Sequence, residues 1–201
     1  MAKTASKSAY TLHPGFKMQA AYERNLKDRT GKTLEEWVAI VKKSGPATLK
    51  ERAAWLKETF GITTNYANWI AECVDGKGTA DSYDPESYVD NMFSGPKAAL
   101  RPIYDQLLKL GFKLGKDVTV TPCSTIVPIR RKHVIAQIKP STNTRIDLGY
   151  ALGATNATGR LIDTGGYAKK DRITHRIPIT SLEEIDDEVK HWLKVAYEMD
   201  A

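Results

Sequence analysis

The chain has 201 residues, of which 41% are hydrophobic and 27% charged, and its formal net charge is +6. These values are typical of a folded globular protein, exclude a chain that is disordered throughout, and allow one large domain or two small ones. We expect no membrane span, because the sequence contains no run of about 18 apolar residues. We also expect no secretory signal, since residues 1–16 are polar and basic and contain no apolar h-region.

Cysteine usage favours a reducing, cytoplasmic location. Cys73 and Cys123 are the only two cysteines, and neither has a Cys or His neighbour at the spacing of metal ligands. We therefore expect neither a disulfide framework nor a zinc site.

Residues 1–16 are predicted to form a mobile arm, and residues 17–75 a unit of four helices. Two of the helices start at a capping box, in which a threonine hydroxyl bonds to the third amide of the helix and a glutamate side chain bonds back to the threonine amide. These boxes start at Thr33 and Thr48. Glycines predict the helix ends, as Gly61 does for the third helix.

Four tryptophans fall on the apolar stripes of predicted helices, where a large side chain faces the core. They are Trp37, Trp55, Trp69 and Trp192. We predict that all four are buried.

The connection between the third and fourth predicted helices, residues 58–66, resembles a helix-turn-helix. In the DNA-reading form of that motif, the first residues of the second helix reach base edges. The residues with suitable side chains are Thr63, Thr64, Asn65 and Asn68. However, residues 63–72 contain no Lys or Arg, and these are the commonest specific contacts with guanine. A plain helical hairpin is therefore favoured over a DNA reader.

Residues 76–83 are short, polar and glycine-bearing, which predicts a linker. Residues 84–201 follow as a second domain with helices, three strands, a glycine-rich loop, a fourth strand and a final helix. The final helix is predicted to begin at a third capping box, from Ser181 to Glu184.

Apolar and polar residues alternate along two of these strands, residues 134–139 and 144–150. A period of two predicts a sheet with one face packed on helices and the other partly solvated. The predicted fold class is therefore α+β, with an N-terminal four-helix unit followed by a mainly antiparallel sheet of about four strands packed against helices.

Positive charge is concentrated in residues 116–176, which hold 11 Lys/Arg and four Asp/Glu, whereas residues 177–201 hold two Lys and seven acids. Such asymmetry can attract an anionic partner, although solvated charged faces also produce it. The basic residues lie on the polar face of the predicted sheet, at the bend before its second strand, and in the loop before its last strand. As candidate anion- or nucleic-acid-binding residues they are Arg130, Arg131, Lys132, Lys139, Arg145, Lys169, Lys170, Arg172 and Arg176.

No motif identifies a reaction, so an enzyme is less favoured than a binding protein. Gln137, Ile138 and Lys139 resemble the Glu-x-Lys signature of metal-dependent nucleases, but glutamine is a poor replacement for a metal-binding carboxylate. His175 lies among isoleucines, which is more typical of a hydrogen-bonded core residue than of a ligand. We expect no catalytic residues, no metal and no cofactor.

Two groups of sequence segments resemble known domains. The segments RTGKTLEEWVAIVKKSG and NYANWIAE resemble a small helical bacterial domain of unknown function. The segments TIVPIRRKHVIAQIKPSTNTRIDLG and WLKVAYE resemble a second uncharacterised domain that is often found behind the first. The resemblance implies a two-part, bacterial, cytoplasmic protein. The second domain also occurs at the end of larger proteins with nuclease-like parts, which favours a nucleic-acid partner.

Our leading hypothesis from the sequence is a non-enzymatic cytoplasmic protein that binds nucleic acid or another polyanion through a basic sheet face and loops. A rival hypothesis is a domain that binds a small molecule or metabolite in a pocket between the sheet and the 153–172 loop. A third is an enzyme with an unrecognised site. The sequence leaves the ligand and the oligomeric state open.

Overall fold

The structure is a computed structural model that describes residues 8–201, so the first seven residues of the predicted mobile arm lie outside the described residues. The chain divides into two compact units. Leu12–Tyr83 form one, which we call the helical unit, and Asp84–Ala201 form the other together with residues 8–11. We call the second the α+β unit.

The helical unit contains four α-helices, as predicted. They are α1 (Gln19–Thr30), α2 (Leu34–Ser44), α3 (Leu49–Phe60) and α4 (Thr64–Val74), with short 3-10 helices at Pro14–Met18 and Ala80–Ser82. Both predicted capping boxes are confirmed, at Thr33 and at Thr48. At the first, the Thr33 amide donates to the Glu36 carboxylate at 2.7 Å. Gly61 ends α3 with a φ of 66°, a left-handed conformation that favours glycine.

Trp37 is a core residue of the helical unit, whereas two other tryptophans remain partly in solvent. Trp37 is 3% exposed, and its Nε1 donates to Thr30 Oγ1 at 2.9 Å. Trp55 and Trp69 are half-buried and pack against the core from outside. The indole of Trp69 donates to the Gly78 carbonyl at 2.8 Å, so its polar edge faces the chain that leaves α4. The prediction of a core position therefore holds for Trp37 alone among these three.

The α+β unit contains three α-helices and six strands. The helices are α5 (Pro85–Met92), α6 (Arg101–Lys113) and α7 (Asp187–Glu198), and a 3-10 helix, Gly95–Leu100, precedes α6. The strands are β1 (Thr119–Val120), β2 (Val127–Arg130), β3 (Val134–Pro140), β4 (Ile146–Tyr150), β5 (Ile162–Asp163) and β6 (His175–Ile179). They form one antiparallel sheet in the order β1-β2-β3-β4-β6-β5. The α+β class is confirmed, with six strands instead of about four, because the two-residue strands β1 and β5 are too short to show a period.

One face of the sheet forms the core with α5, α6 and α7. Ile138, Leu148 and Ile177 lie side by side on β3, β4 and β6, and each is 0% exposed. Burial of one such side chain stabilises the fold by about 1.5–3 kcal/mol relative to exposure. Trp192 of α7 is half-buried and packs against this core from outside, which corrects the prediction that it is a core residue.

The opposite face of the sheet is partly covered by the loop between β4 and β6. The Ile173 side chain lies over Gly149, where an added β-carbon would come within 2.6 Å of an Ile173 methyl group. Glycine at this position lets the loop approach the strand closely. Charged side chains also lie on this face, among them Lys139, Asp147 and Arg176.

The start of α7 differs from the prediction. The helix begins at Asp187, and the Asp186 carboxylate caps it by accepting from the amides of Glu188 and Val189. The predicted capping box from Ser181 to Glu184 is therefore wrong. Glu184 accepts from the Thr180 amide at 2.6 Å. The cap of α7 is supplied by Asp186, which lies closer to the apolar stripe of the helix.

Residues 8–11, part of the predicted arm, lie against the α+β unit. The Thr11 amide donates to the Val120 carbonyl at 2.9 Å. The hydroxyls of Tyr10 and Tyr104 are 2.8 Å apart, within hydrogen-bond distance.

Within residues 17–201, we expect limited trypsin digestion of the native chain to cut first at Lys77. Lys77 is exposed, and the glycines on either side of it have φ values of 70° and 79°. Exposed turns between structural elements are preferred sites of proteolytic cutting. Mass spectrometry of the first fragments checks this, and a first cut elsewhere while residues 76–82 stay intact would contradict the linker prediction.

Candidate anion-binding site

Two basic segments that are far apart in the sequence meet at the C-terminal turn of α7. Arg131 donates to the Tyr197 carbonyl at 3.2 Å, and the His133 amide donates to Asp200 at 2.7 Å. From the other segment, Arg172 donates to Asp200 at 2.7 Å. The bend before β3 and the loop before β6 are therefore held together by the last residues of the chain.

Arg131 and Arg172 both bond to the last residues of the chain, at the contact between the two basic segments, which we call the junction. Arg131 pairs with Asp117 at 2.7 Å, and its guanidinium carbon lies 4.2 Å from the centre of the Tyr197 ring. Arg172 also donates from Nε to the Val134 carbonyl at 2.7 Å. Both arginines were predicted to bind an anion, but their main hydrogen bonds are made within the protein. They position the surface on which other cations lie.

Asp200 is the buried anion of the junction. Its side chain is 5% exposed. Burial raises the pKa of Asp200, but hydrogen bonds from His133 and the charge of Arg172 lower it by more, so the net pKa lies below the usual value. The carboxylate is ionised at neutral pH and can only accept, so the His133 Nδ1 that lies 2.9 Å from it carries a proton.

A cleft of about 650 Å³ opens beside the junction, and we call it the basic cleft. Its lining includes Tyr167, Lys170, Asp171, Arg172, Thr174 and Met199. Tyr167 is 61% exposed. The buried Thr174 hydroxyl accepts from the Leu152 amide at 3.1 Å, which fixes the floor. This is the place where the rival hypothesis expected a pocket, between the sheet and the 153–172 loop.

The cations that are free to meet a ligand are mainly lysines. Lys132, Lys169 and Lys170 are exposed, and none of them forms an ion pair with a residue in the described part of the chain. Lys170 has a φ of 60°, a conformation that costs a residue with a β-carbon about 1–2 kcal/mol. The Lys170 amide donates to the Tyr167 carbonyl at 3.1 Å, which closes a tight turn. The side chains of Tyr167 and Lys170 therefore both line the cleft.

The remaining predicted residues lie elsewhere on the sheet. Lys139, Arg145 and Arg176 surround Asp147 on the polar face, and we call these four residues the sheet-face cluster. Asp147 is 14% exposed and pairs with Arg145 at 3.0 Å and with Arg176 at 2.8 Å. It therefore neutralises part of the charge that the sequence assigned to binding.

Lys139, one member of the sheet-face cluster, lies far from the basic cleft. Lys139 lies five residues along β3 from Val134, which Arg172 contacts, a distance of about 17 Å at the rise of a strand. Arg130 is half-buried at the end of β2, opposite Thr119 of β1. The nine predicted residues are thus spread from the junction to the far end of β3.

Sequence reasoning missed the residues that join the basic segments. Tyr197 and Asp200 belong to the acidic C-terminal stretch, which gave only a charge imbalance as a signal. Within residues 8–201, no three or more His, Cys, Asp or Glu side chains gather in a way that could hold a metal ion. No helix of that same range has the length and apolar character needed to cross a bilayer.

Comparison with known families divides the chain in the same way as its fold. Residues 19–76 match the model described as Domain of unknown function (DUF4287), and residues 89–200 match the one described as Domain of unknown function (DUF5655). No curated protein and no solved structure matches the chain. The second family match covers more than half of the chain and includes both the junction at Asp200 and the basic cleft. The chain therefore belongs to the DUF5655 family and carries a DUF4287 domain ahead of it.

Proposed function

We propose that the α+β unit binds nucleic acid, in single-stranded form, along the basic cleft and the exposed lysines beside it. The proposal includes a non-enzymatic role in the cytoplasm of a bacterium, in line with the sequence resemblance and with two free cysteines. The observation that carries it is the convergence of two basic segments on Asp200, next to a cleft with an exposed aromatic ring.

The charge balance at the junction supports a polyanion as the ligand. Asp117 and Asp200 are already paired with Arg131 and Arg172. Of the charged residues that remain, Asp171 is an exposed acid in the lining of the basic cleft. It is outnumbered by Arg130 and by three exposed lysines, which are Lys132, Lys169 and Lys170. Lysine side chains at a surface bind phosphates as mobile point charges, without reading the base sequence.

The exposed ring of Tyr167 supports a single strand over a duplex. A base that stacks on an aromatic side chain contributes about 1–3 kcal/mol to binding, and only unpaired bases expose their faces for stacking. Tyr167 is 61% exposed and lies beside Lys170 in the lining of the cleft. A base on Tyr167 would therefore leave its phosphate within reach of a cation.

A second candidate function is the binding of a small anionic metabolite in the basic cleft. The volume of about 650 Å³ favours it, because pockets for small ligands occupy roughly 300–1,000 Å³. The two functions differ in how affinity depends on the length of the nucleic-acid strand. Affinity for a nucleic acid rises with the number of phosphates contacted, whereas a mononucleotide would already fill a metabolite pocket.

We expect the full chain to bind oligo-dT and oligo-U more tightly than a duplex of equal length, and to lose affinity steeply as salt rises. Changing Lys132, Lys169 and Lys170 together to glutamine removes three cations that form no ion pair with other described residues. We expect this variant to bind at least tenfold more weakly and to lower the slope of log affinity against log salt by about 2, since each phosphate contact with a single strand contributes about 0.7. Fluorescence anisotropy at about 50 mM and about 200 mM salt measures both.

The matched control changes three exposed lysines of the helical unit to glutamine and so alters the net charge equally. They are Lys42, Lys43 and Lys50. Equal losses in the two triple variants would mean that only net charge matters, and the site would be rejected. Preferential binding of a mononucleotide, with no gain from longer strands, would favour the metabolite function instead.

A further inference from the structure

We propose that the α+β unit has a second binding site, for a small phosphorylated sugar or polyol, at the other end of β3. A cleft of about 470 Å³ lies there, formed by three chain segments, and we call it the hydroxyl cleft. The segments are the connection from α5 to the 3-10 helix, the turn between β1 and β2, and the turn between β3 and β4. All three belong to the α+β unit.

All charged residues that line the hydroxyl cleft are positive. Two lysines, Lys97 and Lys139, line it, and no lining residue carries a carboxylate. Lys97 is half-buried, and its Nζ donates to the Pro140 carbonyl at 2.7 Å, so the ammonium group is held in place. An ammonium group has three N–H donors, and one such bond leaves two for an anion.

Lys139 is also available to a ligand. It is exposed, and its cross-strand partner on β4 is Asp147. That carboxylate pairs with Arg145 and Arg176 at 3.0 and 2.8 Å. The two arginines therefore neutralise the acid nearest to Lys139, and its charge remains uncompensated.

The neutral lining of the hydroxyl cleft matches a ligand with several hydroxyl groups. It consists largely of side-chain hydroxyls and amides, groups that both donate and accept hydrogen bonds as sugar hydroxyls do. They are Ser94, Ser124, Thr125, Ser141, Asn91 and Asn143. The lining contains no aromatic side chain on which a base could stack. The chemistry therefore fits a phosphate ester of a polyol better than a strand of nucleic acid.

We expect at least one of glycerol phosphate, ribose phosphate and glucose phosphate to bind the full chain more tightly than inorganic phosphate and than the free sugar. Lys139→Met should weaken that binding about tenfold, the loss expected for one charge-assisted hydrogen bond. Lys97→Met should do the same. Because Lys97 also contacts Pro140, the exposed Lys139 is the decisive variant. Isothermal titration calorimetry measures all of these affinities.

Lys169→Met, at the basic cleft, is the matched control and should leave sugar-phosphate binding unchanged. Oligo-dT binding should in turn be unaffected by Lys139→Met, so this inference and the proposed function can fail separately. Equal affinity for inorganic phosphate and for all three esters would show a simple ion site and overturn the inference. Sugar-phosphate binding that survives Lys139→Met undiminished would also overturn it.

Discussion

Replacing Trp37 with alanine is expected to lower the free energy of unfolding of the helical unit by about 3–5 kcal/mol. The ring is 3% exposed and meets the ring of Phe60 edge-on at 5.1 Å. Its loss would leave a cavity and remove the bond from the indole to Thr30. A unit of this size has a total stability of roughly 4–10 kcal/mol, so the variant should lie near the limit of folding. Urea denaturation followed by circular dichroism measures the change.

Two further variants test whether burial causes this effect. Trp37→Phe keeps most of the apolar volume and loses the hydrogen bond to Thr30, so it should cost about 0.5–1.5 kcal/mol for that bond and less in total than alanine. Trp55→Ala removes the same side chain from a half-buried position against the core and should cost less than Trp37→Ala. Equal urea midpoints for Trp37→Ala and Trp55→Ala would contradict the assignment of Trp37 to the core.

The local features of this fold were predictable because their causes are local. The capping boxes at Thr33 and Thr48 each need only four consecutive residues, and both are present. The same rule failed at Ser181, since Asp186 competes for the cap and lies closer to the apolar stripe of α7. Strand β5 has two residues, so no alternation could reveal it. It forms because its backbone pairs with the edge of β6.

The candidate site was predictable in its charge but not in its pairing. The sequence identifies the cations of residues 116–176, yet it contains no signal for which of them an acid neutralises. Arg131 forms an ion pair with Asp117, which precedes β1, and Arg172 forms one with Asp200, near the end of the chain. Such pairs depend on the tertiary fold. They change the interpretation of the site, because the arginines become its framework and the lysines its free charges.

Asp200→Asn is expected to lower the free energy of unfolding of the α+β unit at pH 7 by about 1.5–3 kcal/mol, the contribution of hydrogen bonds to a charged group. The 5% exposed carboxylate accepts from His133 and from Arg172. An asparagine amide has one accepting oxygen instead of two and carries no charge, so it cannot replace all of these bonds. Because those bonds join the 131–133 bend to the loop before β6, the variant should also weaken nucleic-acid binding. Urea denaturation and the anisotropy titration measure the two effects on the same protein.

The pH dependence of this loss follows from the direction of the pKa shift. Burial raises the pKa of Asp200, but His133 and Arg172 lower it by more, so the folded value lies below the unfolded one. The stabilisation is therefore complete above the unfolded value of about 3.9 and is lost as the pH falls through the folded value. The difference in stability between the native chain and Asp200→Asn should stay constant from pH 7 to about 5 and narrow below about 4. A difference that remains unchanged at the lowest pH at which both proteins fold would mean that the ionised carboxylate is not its source.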